Sequence, residues 1–262
     1  MARRLARHRR DRVAEQRFVI EGPTLIADAL AAGLRLDYVL LAIDDDGHPL
    51  TDPIFEESLV AHDVEAYGVA KPDFDGLSST KAPQPALAVA PLLIGDLDAA
   101  LLRTLAEPFV VALVDVADPG NVGTLIRAAE AAGAHAVAVT GDTADVFNPK
   151  TVRAAAGSLF RLPVVVFATA PDLARALAER SIATFGARMD GSLAYDQAPF
   201  AGPTALLIGN EAHGLPADLR LDHRVTIPML GAPESLNAAM AGTVLAFEVA
   251  RQRRARSVDP TV

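Results

Sequence analysis

Three short segments of this sequence combine turn-forming, small and polar residues in ways that suit ligand binding. The first is Asp118-Pro119-Gly120-Asn121-Val122-Gly123-Thr124-Leu125-Ile126-Arg127. Its first three residues favour a turn, and Asn121 is a good N-cap for a helix expected over 122–132. Arg127 lies one helical turn beyond Gly123. Long helical side chains lean back toward the preceding turn, so Gly123 leaves room for the guanidinium to reach the loop mouth. A capped helix with a surface arginine has the same composition. The second segment is Gly209-Asn210-Glu211-Ala212-His213-Gly214-Leu215-Pro216. Its glycines let backbone groups approach a ligand closely, and Glu211 offers an acceptor or a charge. An ordinary polar turn is the alternative, with His213 at the surface. The third is Ile227-Pro228-Met229-Leu230-Gly231, followed by Ser235-Leu236-Asn237. Ser235 reads as the N-cap of a long final helix, with Asn237 in its first turn.

Several chemistries are excluded. The chain has no cysteine, so disulfides and thiolate metal sites are impossible. No His, Asp or Glu cluster has metal-ligand spacing, and a phosphate-binding G-x-x-x-x-G-K-[ST] loop is missing. No G-x-G-x-x-G follows a strand, which weakens a dinucleotide-binding reading. A nucleophilic serine with a paired histidine is not visible.

The elements that must position the three segments follow from the apolar pattern. Residues 109–116 are almost wholly apolar, as in a parallel strand buried on both faces. Further strands are expected at 135–139, 163–167, 182–187, 204–208 and 224–227, with helices at 122–132, 149–157 and 171–179. This alternation predicts an α/β domain with a mainly parallel sheet. Each segment then leaves the carboxyl end of a strand, where ligands bind in open α/β sheets. The final helix carries no charge over 235–247. That pattern predicts burial, either as a plain core helix or shared between its own sheet and a second subunit.

Ahead of this domain, strands at 18–20, 38–43, 64–69 and 86–91 alternate with helices at 23–32, 53–61 and from Lys71-Pro72. These make a separate small α/β sandwich over residues 1–91. Residues 92–107 form a connector with a short amphipathic helix (Leu97, Leu101, Leu102, Leu105). The second domain spans 108–256, and 257–262 reads as a disordered tail. No apolar run approaches the roughly 18 residues of a membrane span, and no apolar stretch marks a signal peptide, so a cytoplasmic protein is expected. The formal charge is −9, yet residues 1–17 hold seven arginines against Asp11 and Glu15, a local 7 − 2 = +5. A basic end on an acidic body suits docking to a polyanion, or is a solvated tail.

The order and spacing of the segments resemble the SpoU (TrmH-like) RNA 2′-O-ribose methyltransferases of the SPOUT superfamily. The family's N-x-G-x-x-x-R is matched by Asn121, Gly123 and Arg127, and its G-N-E-x-x-G by Gly209, Asn210, Glu211 and Gly214. Its I-P-M-x-G and S-L-N are matched by Ile227, Pro228, Met229, Gly231, Ser235, Leu236 and Asn237. A lesser match is Asn148-Pro149, Arg153 and Gly157. The N-terminal part is similar to the L30e-like RNA substrate-binding domain often fused to this family, through the basic helix, Phe18-Val19-Ile20-Glu21-Gly22 and Thr80 to Gln84. Pro85 departs from the glycine frequent there.

The resemblance implies a trefoil-knotted α/β catalytic domain, a homodimer formed through it, S-adenosylmethionine as cofactor and no metal. It implies methyl transfer to a ribose 2′-hydroxyl of structured RNA, with ribosomal RNA preferred over tRNA. DNA lacks that hydroxyl. The catalytic set it implies is Arg127, Asn121, Glu211, Ser235 and Asn237; the cofactor set is Gly209, Asn210, Ile227, Met229, Leu236 and Thr140. It gives proton removal to Arg127, although arginine is almost never deprotonated. Holding a phosphate and stabilising alkoxide charge suits Arg127 better, with the phosphate, or Glu211 through water, taking the proton. The competing readings are a tRNA ribose methyltransferase, a non-catalytic RNA-binding protein of this fold, a knotted enzyme acting on a base, and a small-molecule α/β enzyme.

Overall fold

The computed structural model describes residues 1–78, 80, 82–101, 107–231 and 235–258. They form two compact units. One comprises Met1–Leu93 with Asp145–Arg161, the other Ile94–Ala144 with Leu162–Val262.

The first unit is built on a four-stranded sheet of order β1-β4-β2-β3. Its strands are β1 (Arg17–Glu21), β2 (Tyr38–Ile43), β3 (Ala66–Ala70) and β4 (Ala86–Pro91). Around them lie α1 (Ala2–Arg7), α2 (Arg9–Glu15), α3 (Pro23–Ala31), α4 (Pro53–Ala61) and α5 (Lys71–Asp75). Proline opens α3 and α4 at the position where its missing N–H costs nothing. Leu5, Val19, Phe74, Leu87 and Val89 fill one core. The basic N-terminal helix is broken at His8, whose backbone is extended.

The basic segment is not uniformly solvated. Arg12 is buried, and its Nε donates to Asp145 Oδ2 at 2.8 Å. Arg4 pairs with Glu15 and Arg17 with Asp37. A buried guanidinium is tolerated only when paired and hydrogen-bonded, and Asp145 meets that need. The helix α8 (Pro149–Ala155) follows, capped by Asn148. Arg153 pairs with the buried Glu21 at 3.2 Å, and Phe147 stacks obliquely on Phe18 with centroids 5.0 Å apart. Glu21 also accepts the hydroxyls of Ser78 and Thr80 and the Gln84 N–H. One buried carboxylate thus gathers three of the sequence matches: β1, the 80–84 loop and Arg153.

The second unit carries α6 (Leu97–Leu101), β5 (Phe109–Leu113), α7 (Pro119–Ala131), β6 (Ala136–Thr140), β7 (Val164–Phe167), α9 (Ala170–Glu179), β8 (Ala183–Ala187), β9 (Leu193–Ala194), β10 (Thr204–Ile208), β11 (His223–Thr226) and α10 (Ala238–Val258). The strands form one parallel sheet of order β7-β6-β5-β10-β8-β11-β9. β5, β6 and β10 are buried throughout, as expected where helices cover both faces. The sheet order sets the carboxyl ends of β5, β10, β8 and β11 side by side, so all three motif loops emerge from one edge.

Helix α10 packs on α7 at Gly242, where an added Cβ would lie 2.3 Å from Leu125 Cδ2 and 3.2 Å from Ile208 Cγ1. At its far end Arg253 donates to the carbonyls of Glu107, Pro108 and Gly202, fastening α10 to the starts of β5 and β10.

Two helix starts differ from expectation. Helix α7 begins at Pro119, and its cap is Asp118, whose Oδ1 accepts the Asn121 N–H at 3.0 Å; proline favours the first helical position. Helix α10 begins at Ala238. Asn237, not Ser235, is its cap, accepting the N–H groups of Ala239 and Met240 at 2.9 and 3.2 Å. In both cases the freed residue moves into the site. The short edge strand β9 was not expected. Leu102, Leu105 and tail residues 259–262 lie outside the described residues, whereas 257 and 258 continue α10.

Candidate active site

A cleft of about 720 Å³ opens at the carboxyl edge of the second unit's sheet. Gly209, Asn210 and Glu211 line it from the loop after β10, Ile227 and Met229 from that after β11, and Ser235 and Leu236 from the approach to α10. Ala241 and Leu245 of α10 complete an apolar wall.

The loop after β10 closes on itself. Asn210 and Gly214 exchange both backbone hydrogen bonds, at 3.1 and 2.9 Å. The Asn210 side-chain oxygen accepts the N–H groups of Ala212 and His213, while its amide donates to the Asp115 carbonyl at 2.8 Å. Position 209 must be glycine because a Cβ there would lie 2.3 Å from the Gly214 carbonyl carbon.

Glu211 joins this loop to the one after β5. Its carboxylate accepts the N–H groups of Ala117 (2.9 Å) and Asp118 (3.1 Å) and the Asn121 side-chain amide (2.8 Å). Asn121 in turn accepts the side-chain amide of Asn237 at 3.1 Å. A relay Glu211–Asn121–Asn237 therefore ties the three motifs together. Burial pushes the Glu211 carboxyl up, but the three donors outweigh it and hold it below the ordinary carboxylate value. Glu211 is ionised, with three acceptor positions engaged.

Arg127 is exposed on α7 and makes no hydrogen bond or ion pair with a described residue. Thr140 is not in the cleft. It is buried, and its hydroxyl donates to Asp115 Oδ1 at 2.6 Å. It sits behind the first motif loop and braces it.

The residues around this cleft match known proteins. Residues 108–247 match the SpoU rRNA Methylase family, and residues 2–88 match the MRM3-like substrate binding domain. The chain belongs to the SpoU rRNA methylase family. It is 31% identical over 248 residues to the 23S rRNA (guanosine(2553)-2′-O)-methyltransferase RlmP of Bacillus subtilis, covering 92% of this chain and 91% of that protein. It is 41% identical over 181 residues to the 23S rRNA (uridine(2479)-2′-O)-methyltransferase of Streptomyces viridochromogenes; that match covers 66% of this chain and 62% of the relative, less than two thirds of its length. Among solved structures, the SpoU methyltransferase AviRb from Streptomyces viridochromogenes in complex with AdoMet superposes with a TM-score of 0.88 at 32% identity, over 97% of this chain and 96% of that one.

In this SpoU-family chain, a fourth loop completes the cleft. Arg188, Met189 and Asp190 follow β8 and line it, and Arg188 Nε donates to Asp190 Oδ1 at 2.8 Å. No motif marks them. The only sequence signal was the position of their strand, which the sheet order then sets between β10 and β11.

Proposed function

We propose that this chain transfers a methyl group from S-adenosylmethionine to a ribose 2′-hydroxyl of ribosomal RNA. The observation that carries this reading is the Glu211–Asn121–Asn237 relay, which clasps all three motif loops at the mouth of one cleft.

The cleft suits the cofactor. Its volume lies within the roughly 300–1,000 Å³ of small-molecule sites. Ile227, Met229, Leu236 and Leu245 give apolar walls for an adenine, and the glycine-bounded turn at 209–214 presents backbone groups. The charged lining residues are two carboxylates, Asp190 and Glu211, and one guanidinium, Arg188, a balance that favours a cationic ligand. When bound, S-adenosylmethionine supplies an electrophilic methyl group on a sulfonium that departs as a neutral thioether.

What remains for the protein is alignment and handling of one proton. Gly209, Asn210, Ile227, Met229 and Leu236 hold the cofactor, and Thr140 supports the first motif loop from behind. Asn121, Ser235 and Asn237 orient the loops and the ribose. Arg127, with its guanidinium free among the described residues, grips the substrate phosphate and stabilises developing alkoxide charge. Glu211 is a clasp and not the base, because its oxygens are already committed to three donors. The hydroxyl proton passes to the phosphate that Arg127 holds.

The N-terminal unit supplies RNA affinity through the exposed arginines of α1 and α2. The family's trefoil-knotted path is part of this reading of the second unit. A homodimer forms through α10. The work is done in the cytoplasm; among the described residues no helix is long and apolar enough to cross a membrane.

The test is methyl transfer from labelled S-adenosylmethionine to unmodified ribosomal RNA and to tRNA, beside Arg127→Ala. Label in ribosomal RNA that protects one position from alkaline cleavage, and that disappears in Arg127→Ala with cofactor binding retained, is the expected result. Label in a base, or only in tRNA, would overturn it.

A further inference from the structure

Asp115 is the residue at which the chain leaves β5 and turns toward the first motif loop. It is one of the few non-glycine residues with left-handed backbone, at φ +57°. Such a conformation disfavours most L-residues, aspartate less than others, and the surroundings hold it in place. Here they fix it on every side. The Asp115 N–H donates to the hydroxyls of both Thr140 and Thr143 at 3.1 Å. Its carboxylate accepts the Thr140 hydroxyl at 2.6 Å, and its carbonyl accepts the Asn210 amide at 2.8 Å. Thr143 is anchored in turn by donating to the Leu113 carbonyl at 2.9 Å.

The consequences reach two motif loops. Two and three residues onward, the N–H groups of Ala117 and Asp118 meet Glu211. Through its carbonyl, Asp115 also holds Asn210, which closes the 210–214 turn. One strained residue therefore sets the first motif loop and the second in register. Asparagine tolerates left-handed backbone and keeps a side-chain acceptor, and glycine tolerates the backbone but has no acceptor. The two substitutions separate conformation from hydrogen bonding.

We propose that Asp115, braced by Thr140 and Thr143, is a positioning residue for methyl transfer: its carboxylate fixes its own backbone at the entry to the first motif loop, and its carbonyl holds the second, which lines the cofactor cleft. This rests on the methyltransferase reading above. The experiment compares the unaltered chain with Asp115→Gly, Asp115→Asn and Thr140→Val. It reads S-adenosylmethionine affinity by calorimetry, kcat and KM on ribosomal RNA, and thermal unfolding. Misplaced loops cost roughly tenfold or more. Asp115→Gly and Thr140→Val are expected to weaken cofactor affinity or lower kcat by that factor, with thermal unfolding little changed. Asp115→Asn is expected to recover most of the loss. Unchanged affinity and kcat in Asp115→Gly, or losses that merely track a lowered unfolding temperature without rescue by asparagine, would overturn the proposal. If the unaltered chain binds cofactor but methylates no ribosomal RNA, the functional reading fails, and the affinities of the variants still decide the role of Asp115.

Discussion

At the scale of single residues, the site is organised by an acceptor and not by a base. Glu211 gathers three donors from the first motif loop. Its carboxyl titrates below the ordinary value because those donors outweigh burial. A group with a lowered folded-state pKa stabilises the fold above its unfolded value, and that contribution is lost as pH falls through the folded value. The clasp is therefore intact at neutral pH and opens only in acid, below the ordinary carboxylate range. Cofactor affinity should show no titration of Glu211 between about pH 6 and 9. Glu211→Gln must place an NH₂ group against at least one of these donors. Hydrogen bonds to a charged group contribute about 1.5–3 kcal/mol, and partial exposure reduces this. A loss of cofactor affinity of roughly tenfold is expected by calorimetry at pH 7.5. Wild-type affinity in Glu211→Gln would remove the clasp from the account.

At the scale of elements, the approach of α10 to α7 sets the back wall of the cleft. Gly242 allows that approach, because Leu125 and Ile208 occupy the space of any side chain. Overpacking of this kind costs about 1–3 kcal/mol, occasionally more. Gly242→Val should therefore lower unfolding free energy by about 1–3 kcal/mol in urea titration; an unchanged midpoint would show that the helices part freely. Most of this architecture was legible. The strand at 204–208 and the helix expected from Pro23 fell where the apolar runs and the proline placed them. The helix caps were misassigned by two or three residues, because Asp118 and Asn121, like Ser235 and Asn237, are both good caps. Sequence alone does not say which side chain turns back on its helix and which reaches a neighbouring loop. The β8 loop was invisible as part of the site: Arg188 and Asp190 gain their place from the sheet order, which no local pattern encodes. Thr140 lay at the right strand end, but its hydroxyl faces Asp115.

At the scale of the whole molecule, the units do not follow the order of the chain. Residues 145–161 lie within the stretch that reads as catalytic, yet they belong to the first unit, held there by Arg12, Phe18 and Glu21. Charge patterning could not find this, since Arg12 and Asp145 are 133 residues apart. Removing one member of a buried pair leaves the other uncompensated, at about 3–5 kcal/mol. Asp145→Ala should destabilise the first unit by that amount in chemical denaturation, and Arg12→Met with Asp145→Leu should recover much of it. Leu236, Met240, Val244 and Phe247 are 37%, 63%, 38% and 42% exposed. From Met240 on they recur at helical spacing as one apolar stripe, with exposed Met229 and Leu230 nearby in sequence to Leu236. An exposed apolar stripe of this kind suits an interface, and the proposed two-fold homodimer would cover it with the same stripe. Leu236 also lines the cleft, so in the proposed homodimer the partner would stand against one wall of the cofactor site. Phe247 does not line it, which makes Phe247→Glu a clean probe. Sedimentation of the unaltered chain should give twice its 27.4 kDa. Phe247→Glu should sediment as a monomer and bind S-adenosylmethionine more weakly, although no cleft residue has changed. A monomeric unaltered chain would leave the stripe without this partner, and a monomeric variant with full affinity would separate the dimer from the site.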